Sequence, residues 1–185
     1  TINNQFIDLK IINAMVEDNI YLNIVDNNIK QSHIQKLRIK DKQLQIRIIL
    51  QGMLEKLNHS RNEKRIYNKN EISIEYEENV EESLLNKQDQ HLKYICITLD
   101  EKYLNENKYL NDIFNNAFCK KFYEPDLENR FYELFNREYT SGLDKIYLKN
   151  KTMETILYVL DKIKKIDELN FIGLNDEDIN RIKKA

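Results

Sequence analysis

The side chains best suited to chemistry in this chain are His33, His59 and His91. A metal site wants two or three ligands closely spaced or on adjacent strands, and no H-x-H or H-E-x-x-H pattern occurs. His59 lies in the polar, turn-like stretch NHSRNEK, and His33 and His91 lie near the ends of apolar runs. The three read as separate surface or strand-end residues, with no metal site. Cys96 and Cys119 are single cysteines, not a C-x-x-C pair. Cys96 stands in the apolar run LKYICITL as a small core residue, and a structural disulfide is not expected in a chain that reads as cytoplasmic. Three glycines cannot build a nucleophile elbow, a phosphate loop or a dinucleotide loop. The carboxylate pairs Glu77 with Glu78 and Glu81 with Glu82 fall in YEENVEES, which reads as a solvated acidic loop. Acid–base catalysis needs at least one buried acid. The pattern therefore gives no catalytic residue, no cofactor and no enzyme.

Tyr and Phe crowd the stretch NAFCKKFYEPDLENRFYELF (116–135), beside Lys120, Lys121 and Arg130. Aromatic and basic residues in alternation can form a stacking platform for single-stranded nucleic acid. Helical spacing of the Phe residues favours core packing instead.

The elements that must position these side chains change in character along the chain. Residues 6 to 99 alternate with period two. NIYLNIV puts Ile20, Leu22 and Ile24 on one face, and QIRIIL puts Ile46, Ile48 and Leu50 together with Gln45 and Arg47 opposite. EISIEYE aligns Ile72, Ile74 and Tyr76, and KYICITL is apolar on both faces. Short alternating runs at close spacing predict an antiparallel sandwich or barrel. Turns are expected at VDNN, IKDKQ, LQGM, NHSRNEK and NKNE, with Asn taking the left-handed positions that Gly often fills. After residue 100 the period becomes helical. DLENRFYELFNRE (126–138) repeats apolar residues at three and four, and DKIYLKNKTMETILYVLDKIKKI (144–166) predicts a long helix. In it Ile146, Met153, Ile156, Leu160 and Ile163 fall on a heptad-like seam, widened by Leu157 and Val159. Strands first and helices after define an α+β arrangement.

The 185 residues suffice for one domain with a real core. A net charge of −2, with acidic and basic residues interleaved, argues against a polyanion binder. No apolar run is long enough for a membrane span, and no signal peptide is evident. The final stretch LNDEDINRIKKA (174–185) reads as a helix start. Asn175 serves as N-cap, with acidic residues in the first turn and Leu174 spaced to staple onto Ile179. With Thr1 first and that helix unfinished, the chain is expected to be part of a longer protein.

The stretch KIYLKNKTMETILYVLDKIKKIDELNFIGLNDEDINRIKKA (145–185) resembles the segment ahead of the DNA-binding domain in AraC/XylS-type transcription regulators. The likeness is to the branch that includes the pyochelin regulators, and rests on Leu174, Asn175, Asp178, Ile179, Ile182 and Ala185. LQIRIILQGMLEKL (44–57) resembles a barrel strand with its turn at Leu50-Gln51-Gly52, and KYICITLDEKYL (93–104) the last barrel strand running into a short helix. The resemblance implies a cupin-like β-barrel or sandwich over 1–105 and a helical dimerisation region over 106–173. It also implies a linker helix from 174 to 185, leading into a helix-turn-helix domain outside this chain. The implied function is effector sensing and dimerisation for a cytoplasmic regulator. The effector is a small molecule, with a siderophore hinted at by the branch, and DNA is contacted only through the missing domain. A cupin enzyme or isomerase is the rival reading, and a ligand-free dimerisation scaffold the third. The expected pocket residues are Ile46, Ile48, Leu50, Ile72, Ile74, Tyr76, Tyr94 and Cys96. The expected homodimer contact is Ile146, Met153, Ile156, Leu157, Leu160 and Ile163.

Overall fold

A computed structural model describes residues 2–3, 7–107, 110, 118–137 and 142–171. The strands are β1 (Ile2–Asn3), β2 (Ile7–Glu17), β3 (Ile20–Ile29), β4 (His33–Ile39), β5 (Gln43–Gln51) and β6 (Leu54–Asn58). They continue with β7 (Glu63–Tyr67), β8 (Ile72–Glu77), β9 (Val80–Asn86), β10 (Gln90–Asp100) and β11 (Phe118–Phe122). The helices are α1 (Glu101–Glu106), α2 (Pro125–Asn136) and α3 (Gly142–Phe171). Every described strand pair is antiparallel. A seven-stranded sheet runs β1-β2-β3-β10-β5-β8-β11 and a four-stranded sheet β4-β9-β6-β7.

Short-range chemistry sets the turns. Asn19, Asn62, Asn70 and Asn79 take positive φ, where the short amide side chain tolerates the left-handed region. Asp100 caps α1 by accepting from the Lys102 and Tyr103 amides, and Pro125 opens α2, where its missing N–H costs nothing.

The large sheet buries both faces. On one, Ile20, Leu22 and Ile24 of β3, Leu44, Ile46 and Ile48 of β5, Ile72 and Ile74 of β8, and Ile95 and Ile97 of β10 meet the helices. Leu127, Phe131 and Leu134 of α2 and Leu148, Ile156, Val159 and Ile163 of α3 complete this main core. The other face turns toward the small sheet across a smaller apolar cluster of Ile29, Ile49, Leu54, Tyr67 and Leu92.

Several local expectations change. VDNN does not turn; Val25 to Asn28 continue β3, paired with β10. Within YEENVEES only a tight turn at Glu78 and Asn79 intervenes before β9, so Glu77 and Glu82 are buried strand residues, 1 % and 2 % exposed. Part of the aromatic stretch is a strand: β11 pairs with β8 at the edge of the large sheet, beyond the residue-105 limit set for the barrel. The seam on α3 divides. Ile156 and Ile163 are 1 % exposed in the chain's own core, whereas Ile146 and Leu157 are 58 % and 64 % exposed. Met153 and Leu160 flank the core, half-buried. The expected linker helix at 174–185 lies outside the described residues.

Candidate ligand site between the sheets

Period two places alternate residues of each strand between the sheets. From β5 these include Gln45, Arg47 and Ile49; from β8, Ser73, Glu75 and Glu77; from β10, Tyr94, Cys96 and Thr98. The cross-strand register aligns Cys96 with Arg47 and Arg47 with Ser73. The small sheet contributes Lys56, Arg65, Tyr67 and Glu82, with Lys56 opposite Arg65 and Asn58 opposite Glu82.

These side chains form a buried ionic network at the centre of the sandwich. Lys56 Nζ donates to Glu75 Oε2 at 2.9 Å and to Glu77 Oε2 at 3.3 Å. It also stands 2.8 Å from Glu82 Oε1, a charge contact not aligned as a hydrogen bond. Arg47 donates to Glu75 at 3.0 Å and also to Gln45 Oε1. Arg65 bridges Glu75 at 2.9 Å and Glu77 at 2.8 Å, and reaches Glu63 at 2.7 Å. The Tyr67 hydroxyl donates to Glu75 Oε1. Glu75 is wholly buried, and burial alone would push its carboxyl up. Arg47, Lys56 and the Tyr67 hydroxyl outweigh that and hold it well below the usual carboxylate range. Glu82 goes the other way: burial pushes it up to about 7, only partly opposed by Lys56. The cations Arg47, Lys56 and Arg65 thus face Glu75, Glu77 and Glu82, and most of the network crosses from one sheet to the other.

Beside the network lies a cavity of about 310 Å³. Arg47, Lys56 and Glu82 form its charged wall, with Tyr94 and Cys96 adjoining them from β10. Leu54 and Leu84 continue the wall, and Ile11, Leu37 and Ile39 line it from the sheet edges. Ile11 and Leu37 are 43 % and 37 % exposed, which marks the opening between β2 and β4. Burial pushes the Tyr94 phenol up. A larger depression of about 600 Å³ near Asp41, Asp100 and Glu101 is shallow and open to solvent, and it lies away from the network.

Of the expected pocket residues, Tyr94 and Cys96 line the cavity. Ile46, Ile48, Leu50, Ile72, Ile74 and Tyr76 do not; they belong to the main core on the opposite face, against the helices. The reason is parity: one residue along a strand reverses the face, and the more apolar face of β5 and β8 packs on the helices. An apolar barrel interior was expected; the interior is charged instead. Sequence reasoning passed over Lys56, Arg65, Tyr67 and Glu75, and took Glu77 and Glu82 for acids of a solvated loop. The available signal was alternation itself, since Ser73, Glu75 and Glu77 alternate with Ile72, Ile74 and Tyr76.

The histidines are dispersed. His33 contacts the Gln31 carbonyl, His59 contacts Ser83 Oγ at 2.7 Å, and His91 contacts Asp26 at 2.5 Å. Among the described residues no group of three His, Cys, Asp or Glu side chains is placed to hold a metal ion. Among them, too, no helix is long and apolar enough to cross a membrane.

No protein-family profile and no curated protein matches this chain in sequence. Solved structures are similar to it in part. Apo ToxT from Vibrio cholerae superposes with a TM-score of 0.52 at 12% identity, over 78% of this chain and 56% of ToxT. The AraC-like transcriptional activator CuxR aligns at a TM-score of 0.45 and 9% identity, over 82% of this chain and 61% of CuxR. The cupin domain of an XRE-family transcriptional regulator from Enterobacter cloacae aligns at 0.40 and 8% identity, over 51% of this chain and 96% of that domain. The chain thus spans a little over half the length of ToxT. Its architecture is an antiparallel β-sandwich followed by helices.

Proposed function

We propose that this chain is the small-molecule-sensing and pairing part of a cytoplasmic AraC-type transcription regulator. The observation that carries the reading is the cavity between the sheets, walled by Arg47, Lys56 and Glu82 and open between Ile11 and Leu37. Its wall belongs to both sheets, so an occupant touches β5 and β10 on one side and β6 and β9 on the other. Such an occupant favours one relation of the two sheets and biases whatever the helices lead to, by population shift. The fold shared with ToxT and the sequence resemblance at 145–185 support the same reading. At about 310 Å³ the cavity is at the lower end of ligand pockets, which run about 300–1,000 Å³. That size favours a metabolite smaller than a ferric siderophore. A second copy paired through α3 completes the proposed domain, and DNA contact falls to a separate helix-turn-helix domain.

The test compares the purified chain with a Cys96→Phe variant, which fills the cavity. Each is incubated with a metabolite extract, re-isolated and denatured, and the released molecules are identified by mass spectrometry. The reading expects one small molecule retained by the unmodified chain and lost from the variant, with circular dichroism unchanged. The same released molecules from both proteins would sink it.

A second reading, an enzyme, draws on Glu82, the one carboxylate among the cavity-lining residues, pushed up to about 7. That is where a general acid–base works best. Release of the retained molecule in chemically altered form, abolished by Glu82→Gln, would favour it.

A further inference from the structure

The ionic groups inside the sandwich balance. Arg47, Lys56 and Arg65 face Glu75, Glu77 and Glu82, cation for carboxylate. A further acid, Glu63, meets Arg65 from outside and is 46 % exposed, so water screens it. Net charge held away from water is costly, so the group is most stable when its charges sum to zero. An occupant of the neighbouring cavity joins that sum. A charged occupant entering alone upsets the balance; the same occupant accompanied by a compensating proton does not.

Two wall residues are placed for such an exchange. The Arg47 side chain keeps 10 % exposure and lines the cavity. It donates through Nη1 to Glu75 and through Nη2 to Gln45. A guanidinium carries five N–H donors, so others remain for an occupant. Glu82 is the one carboxylate among the cavity-lining residues. Its Oε1 stands 2.8 Å from Lys56 Nζ but accepts no aligned hydrogen bond. Around it stand Lys56 of β6, Glu77 of β8, Arg47 of β5, Arg38 of β4, and Tyr94 and Cys96 of β10. Lys56 is shared with Glu75 and Glu77, and Arg47 is turned to Glu75. Arg38 lies at the rim, 3.8 Å from Glu81, and Arg65 of β7 reaches Glu77 rather than Glu82. Burial, with Glu77 adding to it, outweighs Lys56 and pushes Glu82 up to about 7. Glu75 and Glu77 each hold at least two cations, so Glu82 is the acid that gives way.

We infer that the cavity takes a small organic monoanion together with one proton from solvent, the anion meeting Arg47 and the proton resting on Glu82. This rests on the sensing reading and adds to it the charge of the occupant and a dependence on pH. With Glu82 protonated the network carries one positive charge in excess, which the anion cancels. With Glu82 ionised the network is already neutral, and the anion meets an unpaired carboxylate oxygen. Binding is therefore full below about pH 7 and falls about tenfold for each pH unit above it.

Benzenesulfonate tests this, because it stays a monoanion near neutral pH, and benzenesulfonamide is its neutral counterpart of similar shape. Titration calorimetry at about pH 6 and about pH 8.5 is expected to show the sulfonate bound roughly thirtyfold more weakly at the higher pH. Above neutrality close to one proton should be taken up per anion bound, read from two buffers of different ionisation heat. That proton count needs no variant. In Glu82→Gln, which keeps the shape of the protonated acid, the sulfonate should bind equally at both pH values. The sulfonamide should show no pH dependence in either protein. Cys96→Phe should lose the sulfonate with circular dichroism unchanged. The inference is overturned by any of four results: no sulfonate binding at about pH 6, binding indifferent to pH, a pH dependence that persists in folded Glu82→Gln, or binding that survives Cys96→Phe. Retention of a molecule from the metabolite extract is read separately. If the unmodified chain retains one and Cys96→Phe does not, the sensing reading stands even where the sulfonate results remove the proton-linked anion.

Discussion

Lys56 is the residue whose removal should matter most to the folded sandwich. It is 1 % exposed, with its ammonium 2.9, 3.3 and 2.8 Å from carboxylate oxygens of Glu75, Glu77 and Glu82. At an effective dielectric of about 20, each contact near 3 Å is worth roughly 5 kcal/mol of Coulomb energy. Most of that sum offsets the desolvation of the ions, so the net worth of the group is far smaller. Removing one partner is different, because it leaves buried charge uncompensated, at about 3–5 kcal/mol. After Lys56→Met, Glu75 keeps Arg47, Arg65 and Tyr67, and Glu77 keeps Arg65. Glu82 loses the cation beside it and should take up a proton. The expected loss is about 3–5 kcal/mol, read from urea unfolding followed by far-UV circular dichroism. Lys56→Met with Glu82→Leu removes the stranded acid together with its cation. Paired apolar replacement is often close to neutral, so the double variant should recover at least half of the loss. A single-variant loss below about 1 kcal/mol would refute the idea that the network is dry and tightly coupled. A double variant no more stable than Lys56→Met would refute the assignment of Glu82 as the stranded group.

Two other perturbations follow from the same geometry. Glu82 has a folded-state pKa raised from 4.5 to about 7, so the folded protein holds its proton more tightly than the unfolded chain does. The stability this contributes is full below about pH 4.5 and is lost as pH rises to about 7. Urea midpoints across that range should therefore decline with rising pH, and Glu82→Gln should flatten the decline; an unchanged slope in the variant would be inconsistent with the assignment. Gly52 takes φ +79, and a Cβ there would stand 2.5 Å from the His91 carbonyl oxygen. Gly52→Ala is expected to cost about 1–3 kcal/mol, because backbone rather than a pliant side chain must move, and a thermal midpoint equal to that of the unmodified chain would contradict the turn geometry.

Much of the architecture was legible in local sequence. Period two in QIRIIL and EISIEYE, and the three–four spacing in DLENRFYELF, reflect the fixed geometry of strand and helix, which any neighbour must accept. Asn62 in NHSRNEK and Asn70 in NKNE gave away their turns because few residues besides Gly tolerate positive φ. Other features depended on residues far apart in the chain. Alternation says that Ile46 and Arg47 face opposite ways, but not which face meets the helices. That was settled only when α2 and α3 covered the face of Ile46, Ile72 and Ile74, leaving Arg47, Glu75 and Glu77 to the sandwich interior. Glu77 and Glu82 look like solvent-facing acids in YEENVEES, and only the convergence of Lys56 and Arg65 from other strands makes their burial tolerable. On α3 the sequence supplied apolar residues around much of the helix. The sandwich then took Ile156 and Ile163 for its core and left Leu143, Ile146 and Leu157 facing outward. Local geometry is carried by each residue and its near neighbours, whereas the choice of face is decided by what each face packs against, and that exists only in the folded molecule.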